Sequence, residues 1–163
     1  MVVSGHIVGI YLKPRVPQQY GLPKASVPSA EILRTGLEGD FNNYRQAELH
    51  GDPDSAVLLM TQETLEALRA EGWSVTPGDL GENLLVNGIR YDELAPPRTL
   101  RVGEGVTLAT TRACTPCDRL FTLPYVGPER GPAFLKAMLD RRGWYARVVH
   151  PGSVRVGDAI SLA

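Results

Sequence analysis

Short runs rich in valine, isoleucine, leucine and threonine, broken at close intervals by glycine and proline, mark this chain from end to end. Runs of that kind predict strands. They fall at residues 2–12, 55–60, 83–86, 99–102, 106–111, 145–150 and 158–162. The segment 14–33 carries four prolines and no clean period, so it predicts an irregular crossing with one short strand at 29–33. Between Val102 and Val106, the triplet Gly103-Glu104-Gly105 predicts a hairpin turn, because glycine adopts the positive φ angles a tight turn needs.

Two stretches depart from this rhythm and predict helices. The first, 62–71, has Thr61 placed to accept backbone N–H groups, Glu63 near the positive helix end, Gly72 as the stop, and a narrow buried face of Leu65 and Leu68. In the second, 132–142, Pro132 sits in the first turn and Gly143 follows the end. Its apolar stripe is Phe134, Leu135, Met138 and Leu139, with Lys136 and Asp140 facing water and Arg141 and Arg142 at the negative end. Thirteen prolines and seventeen glycines spread along the length suit a barrel or sandwich better than a bundle. The fold expected is mainly β, a mostly antiparallel β-barrel with a few peripheral α-helices packed outside it.

Composition adds limits. A chain of 163 residues is the length of one domain, 1–163, with a real core. A net charge of −1 gives no general electrostatic reason to bind nucleic acid or an anionic membrane. No apolar run is long enough to span a bilayer and the first residues lack the pattern of a signal peptide, so the expected location is cytoplasmic.

The candidate chemistry lies in Arg112-Ala113-Cys114-Thr115-Pro116-Cys117-Asp118-Arg119, which holds both cysteines in one basic loop after a predicted strand. As a dithiol redox motif it lacks the following helix of thioredoxin-like proteins. As half a zinc site it needs two further ligands, and His6, His50 and His150 form no closely spaced pair. As a single functional thiolate it needs only a cationic loop, which is present; two ordinary small residues in a turn is the plain alternative. Pro77-Gly78-Asp79-Leu80-Gly81-Glu82-Asn83 predicts a tight loop whose backbone N–H groups meet an anion or self-bond in a turn, and its glycine spacing is neither a Walker loop nor a dinucleotide fingerprint. The cluster His50-Gly51-Asp52-Pro53-Asp54 reads first as a polar loop, with Asp54 capping a turn. Trp144 and Tyr145 read first as core anchors at a helix-to-strand corner, with stacking on a ligand as the alternative.

Taken in order, Gly36-Leu37-Glu38-Gly39-Asp40, His50-Gly51, Asp54, Gly81-Glu82-Asn83, Pro116-Cys117-x-x-Leu120, Gly143-Trp144-Tyr145-Ala146-Arg147 and Val156-Gly157-Asp158 resemble the MOSC domain, the module at the C-terminus of molybdenum cofactor sulfurases. The resemblance runs from about Lys24 to the end and implies a β-barrel that binds a molybdenum cofactor (molybdopterin) or handles sulfur for it. It implies that Cys117 is the catalytic thiol and metal ligand, with cofactor contacts from Lys24, Gly39, Asp40, His50, Asp54, Gly81, Glu82, Asn83 and Arg112. Two activities follow from it: an oxidoreductase in which Cys117 ligates molybdenum, of the type that reduces N-hydroxylated compounds, or a carrier in which Cys117 bears a persulfide. The partners implied are a small-molecule substrate or cofactor, with an electron-donor reductase in the first case and a sulfur-donating desulfurase in the second. One departure is visible, since the family shows a second glycine after His-Gly and here that position is Asp52.

Overall fold

A computed structural model describes residues 2–163. Each of the seven long β-rich runs becomes a strand of one closed barrel: β1 (Ser4–Leu12), β5 (Val57–Thr61), β6 (Leu84–Asn87), β7 (Arg98–Val102), β8 (Val106–Ala113), β9 (Trp144–His150) and β11 (Ala159–Leu162). Around the barrel the order is β11-β7-β8-β9-β5-β6-β1, and β1 closes on β11 with Gly5 opposite Ile160. Every neighbouring pair is antiparallel except β5 and β6, which α2 (Gln62–Ala70) joins as the crossover that parallel strands require. A short strand β2 (Ala25–Val27) extends β1, and a separate sheet is made by β10 (Gly152–Arg155), β3 (Ser29–Leu33) and β4 (Gly36–Leu37). The expected hairpin is present, with Val102 opposite Val106 across the glycine triplet.

The period of two in the central strands divides the protein between two apolar clusters. Val57, Leu59, Leu84 and Val86 join Leu100, Leu108, Val148 and Ile160 in one cluster, while Met60 and Leu85 point the other way into a second with Leu65, Leu68, Phe134 and Met138. That is why β5 reads as an unbroken hydrophobic run: both of its faces are covered, and each fully buried aliphatic side chain contributes about 1.5–3 kcal/mol.

One helix agrees with expectation and two depart from it. α2 keeps its Thr61 cap and its buried Leu65 and Leu68. The helix expected at 132–142 is instead α3 (Gly127–Ala137), so Pro132 lies inside it, and Leu139, expected in the apolar stripe, is 59% exposed. The chain has already left the helix there, with Asp140 at φ 61 and Gly143 at φ 115 turning it toward β9. A further helix, α1 (Phe41–Glu48), was not expected because it buries no residue and so carries no apolar stripe; Asp40 caps it by accepting the Asn42 N–H at 3.3 Å. Among the described residues, no helix is long and apolar enough to cross a membrane.

Candidate functional site

Loops entering β6 and β9, the loop leaving β8, and the segment before β2 meet at one open groove with a cavity volume of about 110 Å³. Its wall carries both thiols, Cys114 and Cys117, and four cationic side chains, Lys24, Arg45, Arg119 and Arg142. No carboxylate among the described residues lines it. A surface of that composition attracts an anion and offers soft sulfur to a metal or an electrophile.

Behind the wall lies a buried polar knot that explains three of the expected site residues. Asp40 accepts hydrogen bonds from Lys24 Nζ at 2.7 Å, Asn83 Nδ2 at 3.0 Å, and the Lys13 and Asn42 backbone N–H groups at 2.9 and 3.3 Å. Asn83 also donates to the Tyr11 carbonyl at 3.1 Å and accepts the Leu58 N–H at 3.1 Å, so one amide pins β1, β5 and the start of β6 together. Lys24 feels two opposing effects: burial lowers its affinity for the proton, and the Asp40 carboxylate raises it. Gly78 sits at φ 93, and a Cβ there would lie 2.2 Å from the Lys24 carbonyl, so only glycine lets the 77–83 loop close against the lysine segment.

The expected residues divide accordingly. Lys24, Gly81, Asn83 and Cys117 line the groove, and Asp40 stands directly behind Lys24. The others lie outside its wall. Gly39 is exposed beside Asp40, and His50 is exposed in the turn after α1 at φ 52. Asp54 pairs with Arg147 at 3.3 Å and accepts the Thr111 hydroxyl on its carbonyl. Arg112 pairs with Asp52 at 2.5 Å, also bonds Ser55, and lies over the Tyr145 ring. Asp52 thereby acquires a structural role, since one side-chain oxygen accepts the Asp54 N–H at 2.9 Å while the other holds Arg112 away from the groove.

Arg142, Tyr145 and Arg45 line the groove without having been assigned to a site from the sequence. Arg142, expected at the helix end on the surface, is buried at 5% exposure, whereas its neighbour Arg141 does meet the last-turn carbonyl of Ala137 at 2.9 Å. Nothing in an Arg-Arg pair says which member turns inward. Tyr145, read as a core anchor with Trp144, instead lines the groove, while Trp144 packs on the barrel core and donates to the Tyr91 carbonyl at 2.9 Å. Alternation along β9 puts the two rings on opposite faces. Arg45 reaches the groove from α1, the helix that the hydrophobic pattern does not reveal.

Glu82 is fully buried and both of its carboxyl oxygens lack a side-chain or backbone partner. Burial pushes its proton affinity up, so the fold favours the neutral acid. A carboxyl raised in this way stabilises the fold fully below about pH 4 and loses that contribution as pH rises through its raised value. Glu82→Gln should therefore flatten the pH dependence of thermal unfolding, and its advantage over wild type should widen as pH rises above about 4. Parallel melting curves across that range would assign the slope to another group.

The groove sits in a chain whose relatives are recognisable. A family model described as the MOSC domain matches residues 46–161. Among solved structures, the YuaD protein from Bacillus subtilis is 18% identical with a TM-score of 0.81, over 99% of this chain and 97% of that one. YiiM from Geobacillus stearothermophilus is 21% identical with a TM-score of 0.72, over 98% of this chain and 75% of that one. YiiM from Escherichia coli is 21% identical with a TM-score of 0.67, over 98% and 69%. At these identities the likeness is one of fold. No curated protein matches the sequence.

Proposed function

We propose, since the chain belongs to the MOSC domain family, that its groove binds a molybdenum cofactor of the molybdopterin type and that the protein is an oxidoreductase for small N-hydroxylated compounds. The observation that carries this reading is the convergence of a half-buried thiol with four cationic side chains in a groove lined by no carboxylate among the described residues.

The residues present fit such a group. Cys117 precedes the short helical turn Asp118–Thr122, and its side chain is not spent on a capping hydrogen bond, which leaves the sulfur available as a soft ligand. Lys24, held rigid by its ion pair with Asp40, presents fixed N–H donors to an anionic phosphate, and Arg45 and Arg119 add exposed charges at the rim, Arg119 over the Tyr20 ring. Gly81, at φ 81 with only a Leu22 methyl near its missing Cβ, lets a planar ring approach the backbone closely. When bound, the cofactor supplies the redox chemistry, and the protein supplies binding, orientation and electrostatics.

A second reading is favoured by the same unengaged sulfur: a module in which Cys117 carries a persulfide received from a desulfurase, with no substrate of its own. One measurement separates them. Protein purified from a cofactor-competent host should contain molybdenum and pterin in nearly equal amounts, approaching one of each per chain. Protein without either, but with cyanide-labile sulfur on Cys117, would overturn the oxidoreductase reading in favour of the carrier.

A further inference from the structure

We propose that Cys114 and Cys117 form an oxidation-sensitive thiol pair, in which Cys114 reacts with a hydroperoxide and Cys117 then closes a disulfide. The starting point is a charge that lacks a counterpart. Arg142 is 5% exposed, makes no ion pair with any carboxylate among the described residues, and has a buried Nε with no hydrogen-bond partner. Its Nη1 donates to Cys114 Sγ at 3.1 Å. That guanidinium is the cation in contact with the sulfur, and it is placed to stabilise the negative charge the sulfur carries when it reacts as a nucleophile. Glu82 makes no ion pair and is held toward its neutral form by burial.

A second polar group faces the same sulfur. The Cys114 thiol donates to the Tyr145 hydroxyl at 3.3 Å, and burial raises the affinity of that phenol for its proton, so the hydroxyl keeps a proton it can turn toward the sulfur once the thiol has lost its own. The Cys114 N–H is fixed to the Gly143 carbonyl at 2.9 Å, which locks the thiol to the segment that carries both Arg142 and Tyr145. A sulfur anion flanked by a guanidinium and a hydroxyl is arranged to stabilise charge developing on a departing oxygen. At 7% exposure Cys114 admits only a small oxidant from the groove. Cys117, half-buried, lines the same groove from three positions further on.

The chemistry closes on itself. The Cys114 thiolate attacks one peroxide oxygen; an S–O bond forms, the O–O bond breaks, and the leaving alkoxide or hydroxide takes a proton from water. Sulfur is thereby oxidised and the peroxide reduced. The Cys117 sulfur next attacks the sulfenic sulfur, an S–S bond forms, the S–O bond breaks, and water leaves with the Cys117 proton. The disulfide withdraws Cys117 from whatever the groove binds, so oxidation would switch the site off. None of these steps depends on the identity of that ligand.

The test uses the full chain free of metal, hydrogen peroxide, and dimedone as the sulfenic-acid trap, read by intact mass and peptide mapping. Wild type should lose both free thiols together and form an intramolecular Cys114–Cys117 disulfide. Cys117→Ser should accumulate the dimedone adduct on Cys114, and Cys114→Ser should react about ten-fold or more slowly, the worth of one charge-assisted hydrogen bond expressed in a rate. Arg142→Lys, which keeps the charge, should fall between wild type and Arg142→Met. Dimedone on Cys117 in wild type, equal rates for the two cysteine variants, or disulfides only between chains would each overturn the proposal. If Arg142→Met does not fold, the two cysteine variants still decide it.

Discussion

Asp40→Ala should destabilise the protein by about 3–5 kcal/mol, the cost of breaking a buried ion pair from one side. The carboxylate is 2% exposed and receives four donors: Lys24 Nζ, Asn83 Nδ2 and the backbone N–H groups of Lys13 and Asn42. Truncation strands the Lys24 ammonium in a site where burial already works against its charge, and leaves the three remaining donors without that acceptor. Urea denaturation should show a lower midpoint with an unchanged slope, because the surface exposed on unfolding hardly changes. Asp40→Asn keeps an acceptor and should recover part of the loss, whereas Asn83→Ala should approach the same penalty by orphaning the Leu58 N–H and the Tyr11 carbonyl. A loss below about 1 kcal/mol for Asp40→Ala would show that solvent reaches the knot and replaces its bonds.

Cys117→Ser should weaken molybdenum retention by more than about 100-fold, exceeding the loss typical of residues that only support a metal ligand. A hydroxyl keeps the size of the side chain but replaces a soft, readily ionised donor by one that stays protonated at neutral pH. The sulfur of Cys117 has no structural bond to lose, so the folded state should be unaffected and the effect should appear in bound metal and pterin alone. Cys114→Ser should keep most of the metal, since that sulfur is engaged by Arg142 and Tyr145. Elemental analysis of the two variants from a molybdenum-replete host gives the comparison. Equal losses would mean that the thiols bind as a unit, and a loss confined to Cys114→Ser would reassign the ligand.

The same two cysteines show what was legible in one dimension. Their loop, its basic flanks and the polar 77–83 loop were readable, because glycine, proline and charge cluster where the chain turns. Which thiol is buried and which is half-exposed was not, because the difference comes from Arg142 and Tyr145, 28 and 31 positions away. Arg112 illustrates the converse. Its closeness to the cysteines in sequence suggested a site role, yet Asp52, 60 positions back, holds it outside the groove. Asp54 is held in the same way by Arg147.

Local chemistry by itself determined the seven barrel strands, the glycine hairpin and α2 with its threonine cap, because strand alternation, turn residues and caps act within a few positions of the chain. It did not determine α1, which has no apolar face, or the start of α3, where the chain tolerates Pro132 inside the helix. Only the tertiary structure decided that β1 closes on β11, that β5 and β6 run parallel, and that Lys24, Asp40 and Asn83 share one buried knot. Those pairings join residues far apart in sequence, and their energy comes from excluding water around groups that show no sign of burial until the barrel has closed.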